Sequence, residues 1–124
     1  MFKRWQEVYS SPPFKKRRCK MKEVLIKYEI ENIKENLTLI HFELPRELEP
    51  QDLKKIKPPD PVENKFSENI LILSGRGPIW LYGFLIHFYH PVKAIAIFDP
   101  RLNGAVVIES HTKEIEVGDL IKIE

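Results

Sequence analysis

The sequence predicts an α+β fold, a ferredoxin-like sheet with two helices and an added C-terminal β-hairpin, and three observations carry that expectation. Short runs of alternating apolar and polar residues rich in β-branched side chains recur along the chain, as half-buried strands require. Two segments, one opening at Glu49 and one at Pro78, carry helix signals. Between Ile70 and Phe98 an apolar strand, an apolar helix and a second apolar strand follow one another, the order of a βαβ unit.

From Glu23 to Glu31 and from Leu37 to Leu44 the residues alternate as strands, and the polar break at Lys34 to Asn36 predicts a hairpin between them. Pro45 ends the second strand. The stretch Glu49 to Ile56, with proline and acids in its first turn, reads as a short helix. Pro58, Pro59 and Pro61 then force a loop. Ile70 to Leu73 is a short strand running into Ser74-Gly75-Arg76-Gly77-Pro78, where a helix begins and runs until Pro91 closes it. That helix is apolar nearly all round, which predicts burial, and Gly83 in its interior costs it about 1 kcal/mol. Strands follow at Ala94 to Phe98, Ala105 to Glu109 and Leu120 to Ile123, with Asn103-Gly104 a strong hairpin cue between the first two.

With 124 residues, 43% hydrophobic and 31% charged, the composition is that of one soluble globular domain. The lone Cys19 excludes an internal disulfide and a cysteine-based zinc site, which suits a reducing, cytoplasmic location. No apolar run near the start has the length of a signal peptide. The stretch Ile79 to Tyr89 is about half of the roughly 20 residues that span a bilayer, so no membrane association is expected. Seven of the 20 Lys and Arg, against one of the 18 acids, fall in residues 1–20, so the remainder carries a net charge of −4 although the chain as a whole is +2. That distribution excludes a basic surface for long nucleic acid. Residues 1–20 are expected to be a basic leader, disordered or not native, and 21–124 the folded domain, with Met21 an alternative start.

The turn Ser74-Gly75-Arg76-Gly77-Pro78 is the most suggestive local feature. Glycines let a backbone approach a ligand, and free N–H groups at a helix start favour an anion. It is neither a P-loop nor a dinucleotide fingerprint, because the Lys-Ser/Thr ending is missing and Trp80 stands at the third glycine position. A tight turn with a surface arginine is the alternative reading. His90, Asp99, Arg101 and His111 form a second set: imidazole and carboxylate suit Mn²⁺ or a similar ion, and guanidinium suits a phosphodiester. His41 and His87, embedded in a strand and a helix, are expected to be structural. In a right-handed βαβ unit Ser74, Arg76, Asp99 and Arg101 come to one end of the sheet, with His90 and His111 at the other, about 20 Å away at 3.3 Å per residue. A composite site between stacked subunits is the arrangement this predicts.

Ser74-Gly-Arg-Gly-Pro-Ile-Trp-Leu-Tyr, Tyr89-His90, Phe98-Asp-Pro-Arg-Leu, Gly104-Ala-Val-Val and Ser110-His111, in that order, resemble the third family of CRISPR-associated ring nucleases, accessory proteins of type III systems. Thr38-Leu-Ile-His-Phe-Glu43 fits the same pattern. The resemblance implies a ferredoxin-like homodimer that degrades cyclic tetra-adenylate with Mn²⁺, sandwiching the ring between dimers stacked head to tail, and so switches antiviral signalling off. Ser74, Gly75, Arg76 and Gly77 would bind the ligand, and His90, Asp99, Arg101 and His111 would supply metal binding, transition-state charge and proton transfer. Among these, Asp99, His90 and His111 are the expected metal ligands, Asp99 foremost, with His90 the better placed for acid–base work because imidazole titrates near neutrality. The attacking group would be the ribose 2′-hydroxyl or water. Two alternatives stand beside this: a Mn²⁺-dependent exoribonuclease trimming linear RNA 3′ ends, and a non-catalytic binder of cyclic oligoadenylate. The chain departs from the pattern in its 20-residue leader and in Asn103, which lengthens the turn after Arg101-Leu102 by one residue.

Overall fold

Six strands build one sheet: β1 (Lys27–Lys34), β2 (Leu37–Glu43), β3 (Ile70–Gly75), β4 (Ala94–Asp99), β5 (Gly104–Ser110) and β6 (Leu120–Lys122). They are seen in a computed structural model that describes residues 24–123; the basic leader and Met21 lie outside the described residues. One α-helix, α1 (Ile79–Phe88), connects β3 to β4, and a single 3₁₀ turn, Pro50–Lys54, interrupts the longer connection between β2 and β3. β2, β3 and β4 are parallel, while β1, β5 and β6 add antiparallel edges.

The class is α+β, as the sequence predicts. Strand order follows chain order, and neither parallel pair has a strand inserted between its members, the insertion that marks a split βαβ arrangement. The ferredoxin-like detail is therefore not carried by the strand order. Only one of the two expected helices is an α-helix. The segment from Glu49 stops after one 3₁₀ turn, although the Asp52 carboxylate accepts a 2.9 Å hydrogen bond from the Glu49 N–H as a good cap should. Pro58 and Pro59 follow four and five residues after Lys54, and a residue before proline is pushed out of the helical region.

The β1–β2 turn falls at Glu35–Asn36, and β1 starts and ends later than its apolar pattern suggested. A short polar chain holds this corner: the Asn69 amide donates to the Thr38 hydroxyl at 2.9 Å, and that hydroxyl donates to Asn32 Oδ1 at 2.9 Å. Thr38 is fully buried, so this pairing removes the cost of an unsatisfied hydroxyl.

Alternation splits the apolar residues between the two faces of the sheet. Ile40, Phe42, Leu71, Leu73 and Ile95 face Leu81, Leu85 and Tyr89 of the helical layer. Leu37, Ile72, Ala96, Ala105 and Val107 form a smaller cluster on the other face, with Phe98, Ile115 and Ile121 packed against it. The expectation that α1 is buried all round is corrected. Leu81 and Leu85 are buried, but Ile79 is 88% exposed and Trp80 and Phe88 are partly open, because a helix laid on one face of a single sheet has nothing behind it. Tyr89, buried at the end of α1, donates its hydroxyl to the Pro59 carbonyl at 2.7 Å and so ties the proline-rich loop to the helix. No helix among the described residues is long and apolar enough to cross a membrane.

Candidate functional site

Because β2, β3 and β4 run parallel, their C-terminal ends share one edge of the sheet, where His41, Ser74 to Gly77, Asp99 and Arg101 collect. The loop after β3 is held from several sides. Gly75 has φ +149°, and a Cβ there would stand 2.5 Å from the Phe42 carbonyl oxygen, so only glycine lets β3 leave the sheet this close to β2. Tyr82 stacks edge-on against Phe42 and donates its hydroxyl to the Gly75 carbonyl at 2.7 Å. Burial pushes the Tyr82 hydroxyl up from its ordinary pKa, partly offset by that hydrogen bond. The loop is thereby pinned from the helix side.

Beyond this anchor Arg76 is exposed and has no hydrogen-bond or ion-pair partner among the described residues. Pro78 begins α1 with no side-chain cap and no acid in the first turn, which leaves the positive end of the helix unneutralised. A free guanidinium beside an uncapped helix start is an arrangement suited to a phosphate. On β3 itself Ser74 is paired in register with His41 of β2. His41 Nδ1 lies 3.1 Å from Ser74 Oγ, and its Nε2 lies 3.7 Å from the Glu43 carboxylate.

Asp99 closes β4 at the same edge, but by alternation it lies on the helix-bearing face, whereas Ser74 is on the opposite one with Ile72 and Phe98. Arg101 clasps it. The Arg101 Nε–H and Nη2–H donate to Oδ1 at 3.3 Å and Oδ2 at 3.1 Å, and the Arg101 backbone N–H donates to Oδ1 at 3.0 Å. These hydrogen bonds hold the Asp99 carboxyl below the usual carboxylate pKa and raise the Arg101 guanidinium further. Leu102 N–H donates to the Asp99 carbonyl at 3.0 Å, and Asn103 takes φ +53°, so the extra residue of this turn is absorbed by a left-handed asparagine.

The other end of the sheet gathers the imidazoles. α1 runs back against the strands, so His90 emerges beside the start of β4, and the antiparallel β5 brings Glu109 and His111 to the same place. His90 Nδ1 lies 2.5 Å from Glu109 Oε2, and His111 Nε2 lies 2.8 Å from the same oxygen and 3.1 Å from the His90 carbonyl. The two rings are nearly perpendicular, with centroids 5.0 Å apart. One nitrogen from each ring and the carboxylate lie within 4.8 Å of one another. Two imidazoles and a carboxylate are donors of the kind that hold Mn²⁺ and its first-row neighbours, so the residues present fit the ion that the sequence resemblance implies.

Within one chain the structure thus brings Ser74, Gly75, Arg76 and Gly77 to one edge with Asp99 and Arg101, and brings His90 to His111 at the opposite edge. Asp99 and His111 are not neighbours: β4 pairs Asp99 with Gly104, at the far end of β5 from Ser110. Two residues escaped sequence reasoning. His41 was expected to be structural, yet it is half-exposed beside Ser74, a neighbour that only the parallel register of β2 and β3 reveals. Glu109 was signalled by its spacing, since residues two apart on a strand share a face and Glu109-Ser110-His111 places carboxylate and imidazole together. His87, also expected to be structural, is exposed in the last turn of α1.

Comparison with known proteins adds the lineage. A family model described as CRISPR-associated protein (Cas_csx3) matches residues 41–122, which span both edges just described. A protein of Aquifex aeolicus (strain VF5), carrying only the description "uncharacterized protein", is 58% identical over 105 residues, covering 85% of this chain and 95% of that one. With two thirds of its length matched by that model, the chain belongs to the Cas_csx3 family of CRISPR-associated proteins.

Proposed function

We propose that this protein is a metal-dependent phosphodiesterase that opens cyclic tetra-adenylate and so ends type III CRISPR signalling. The observation that carries the reading is the division of its chemistry between two edges of one sheet. An unpaired Arg76 and an uncapped helix start, suited to phosphate, stand about 20 Å from a His–Glu–His cluster suited to a cation, by the 3.3 Å rise per strand residue. Two copies stacked head to tail would set the anion-holding edge of one against the cation-holding edge of the next. Membership of a CRISPR-associated family and the motif resemblance both favour a cyclic oligoadenylate as the phosphodiester that fills the gap.

In this reading Ser74 and Arg76 grip the ring's phosphates, with the backbone of Gly75 and Gly77 allowing close approach. Arg101, oriented by Asp99, offsets charge that develops on the phosphate oxygens as a ribose 2′-hydroxyl or a water attacks phosphorus. Imidazoles of the second copy move the proton, and a bound Mn²⁺ would supply further charge stabilisation.

The test is incubation of the protein, and of Asp99→Ala beside it, with cyclic tetra-adenylate and Mn²⁺, resolving products by liquid chromatography. Conversion to linear di-adenylate by wild type alone is the expected outcome. Tight binding of a ring that stays intact would replace this reading with a non-catalytic binder. Trimming of linear oligoadenylate without ring opening would replace it with a 3′ exoribonuclease.

A further inference from the structure

We propose that a cavity between the start of β1 and the segment after the 3₁₀ turn binds a small organic anion, an anionic head group on a short apolar stem. None of the residues around it belongs to either edge of the sheet described above, so the proposal does not rest on the ring-cleavage reading.

Two stretches of chain build the walls. Leu25, Ile26 and Tyr28 line one side and Lys55, Ile56 and Lys57 the other, around a volume of about 130 Å³. Ile26 and Ile56 are buried in the core cluster of the helix-bearing face, and Leu25 and Tyr28 pack against that cluster, so the floor is apolar and fixed. Ile56 is buried between two exposed lysines, which anchors both ammonium groups at the rim.

The polar side-chain groups around the cavity are all donors. Neither the Lys55 nor the Lys57 side chain has a hydrogen-bond or ion-pair partner among the described residues. The Tyr28 hydroxyl is buried and lacks a hydrogen-bond partner as well. Burial pushes its pKa up to about 12, so at neutral pH it remains an O–H donor. A buried donor without an acceptor is costly, and an acceptor brought in by a ligand recovers that cost.

No acid lines the cavity to neutralise the lysines. The acids that flank this stretch in sequence are engaged elsewhere. Asp52 accepts from the Glu49 N–H at 2.9 Å and lies 3.7 Å from Arg46, while Asp60 accepts from the Val62 and Glu63 N–H groups at 3.0 and 2.8 Å. Two ammonium groups and a hydroxyl with no carboxylate among them match a group that only accepts, a carboxylate or a phosphate monoester. The volume holds about ten waters, or one molecule with a similar number of non-hydrogen atoms, which is too small for a whole nucleotide. The apolar floor selects for the stem.

The test is titration of the full chain, carrying isotope-labelled isoleucine methyl groups, with butyrate, propyl phosphate and the neutral butyramide, followed by magnetic resonance. The expected result is saturable shifts of the Ile26 and Ile56 methyls with one or both anions and none with butyramide, the tighter anion naming the head group. Affinity should fall at least about 5-fold when Lys55→Gln and Lys57→Gln are combined, and about 2- to 10-fold in Tyr28→Phe. It should change less than about 2-fold in Lys34→Gln, which removes the same charge at the far end of β1. The tighter anion should also raise the unfolding temperature of wild type and not of the double lysine variant, because it binds only the folded chain. Circular dichroism reports that each variant is folded; the lysine pair, being exposed, decides the matter if Tyr28→Phe is not. Shifts that do not saturate, equal binding of butyramide, or wild-type affinity in the double lysine variant would each overturn the proposal. Shifts at Ile79 alone would also overturn it, since they place the anion at the Arg76 loop. Failure of ring cleavage leaves this titration unaffected, so the two readings fail separately.

Discussion

His41 and Ser74 face each other across β2 and β3 at 3.1 Å, and their pairing has a consequence for ligand binding. If Ser74 grips a phosphate, His41 sets the direction of its hydroxyl. A net hydrogen bond is worth about 0.5–1.5 kcal/mol, so His41→Ala is expected to weaken binding of cyclic tetra-adenylate by roughly 2- to 10-fold while the fold is retained, a change isothermal calorimetry resolves. At the other motif, Arg101 holds the Asp99 carboxyl below the usual carboxylate range. A depressed folded-state pKa contributes stability that is present above the unfolded value and lost as pH falls through the folded one. Asp99 is therefore expected to stay ionised through mild acid, and Arg101→Gln to raise its titration toward the ordinary value, as carbon-detected magnetic resonance would show. An activity loss at mildly acidic pH in the wild type is then not a loss of the Asp99 charge.

Among the elements, α1 shows how local preference and packing divide the work. It has no side-chain cap and carries a glycine at its fifth position, so Leu81, Leu85 and the buried Tyr89 hold it to the sheet. A Cβ added at Gly83 meets nothing within 4 Å. Gly83→Ala should stabilise the protein by about 1 kcal/mol and raise the unfolding temperature by roughly 4 °C, as measured by thermal unfolding. Gly75 is the opposite case. Its φ of +149° and the 2.5 Å approach to the Phe42 carbonyl mean that Gly75→Ala should cost about 1–3 kcal/mol in the same measurement.

Over the whole molecule, placing the candidate residues at two opposite edges of one sheet would make the proposed site a property of an assembly. Asp99→Ala and His111→Ala alter opposite edges, so each variant alone should be inactive in every composite site. Mixed in equal amounts, they should recover roughly a quarter of wild-type ring cleavage, because random heterologous stacking joins two intact edges in that fraction of sites. A site complete within one chain predicts no recovery on mixing. The outward-facing Ile79 and Trp80 adjoin the Arg76 loop, so the surface around that loop is partly apolar as well as cationic.

The local pattern alone determined the α+β class, the six strand segments, the position of α1 and the loop Ser74-Gly75-Arg76-Gly77-Pro78, because alternation, proline and glycine act over a few residues. It also separated Asp99 from His90 and His111, since a parallel βαβ unit fixes which strand ends share an edge. Tertiary structure decided the rest. An apolar α1 is covered on one side only, because burial depends on what the chain finds around it, whereas the Glu49 segment is cut to one 3₁₀ turn by prolines already visible in the sequence. The contact of His41 with Ser74 joins residues 33 apart through the register of β2 and β3, which no local signal encodes. The spacing Glu109-Ser110-His111 signals one contact, but only the antiparallel return of β5 against the end of α1 sets Glu109 between two imidazoles. Strand geometry is written over a few neighbouring residues, whereas a site is written in the pairing of distant ones.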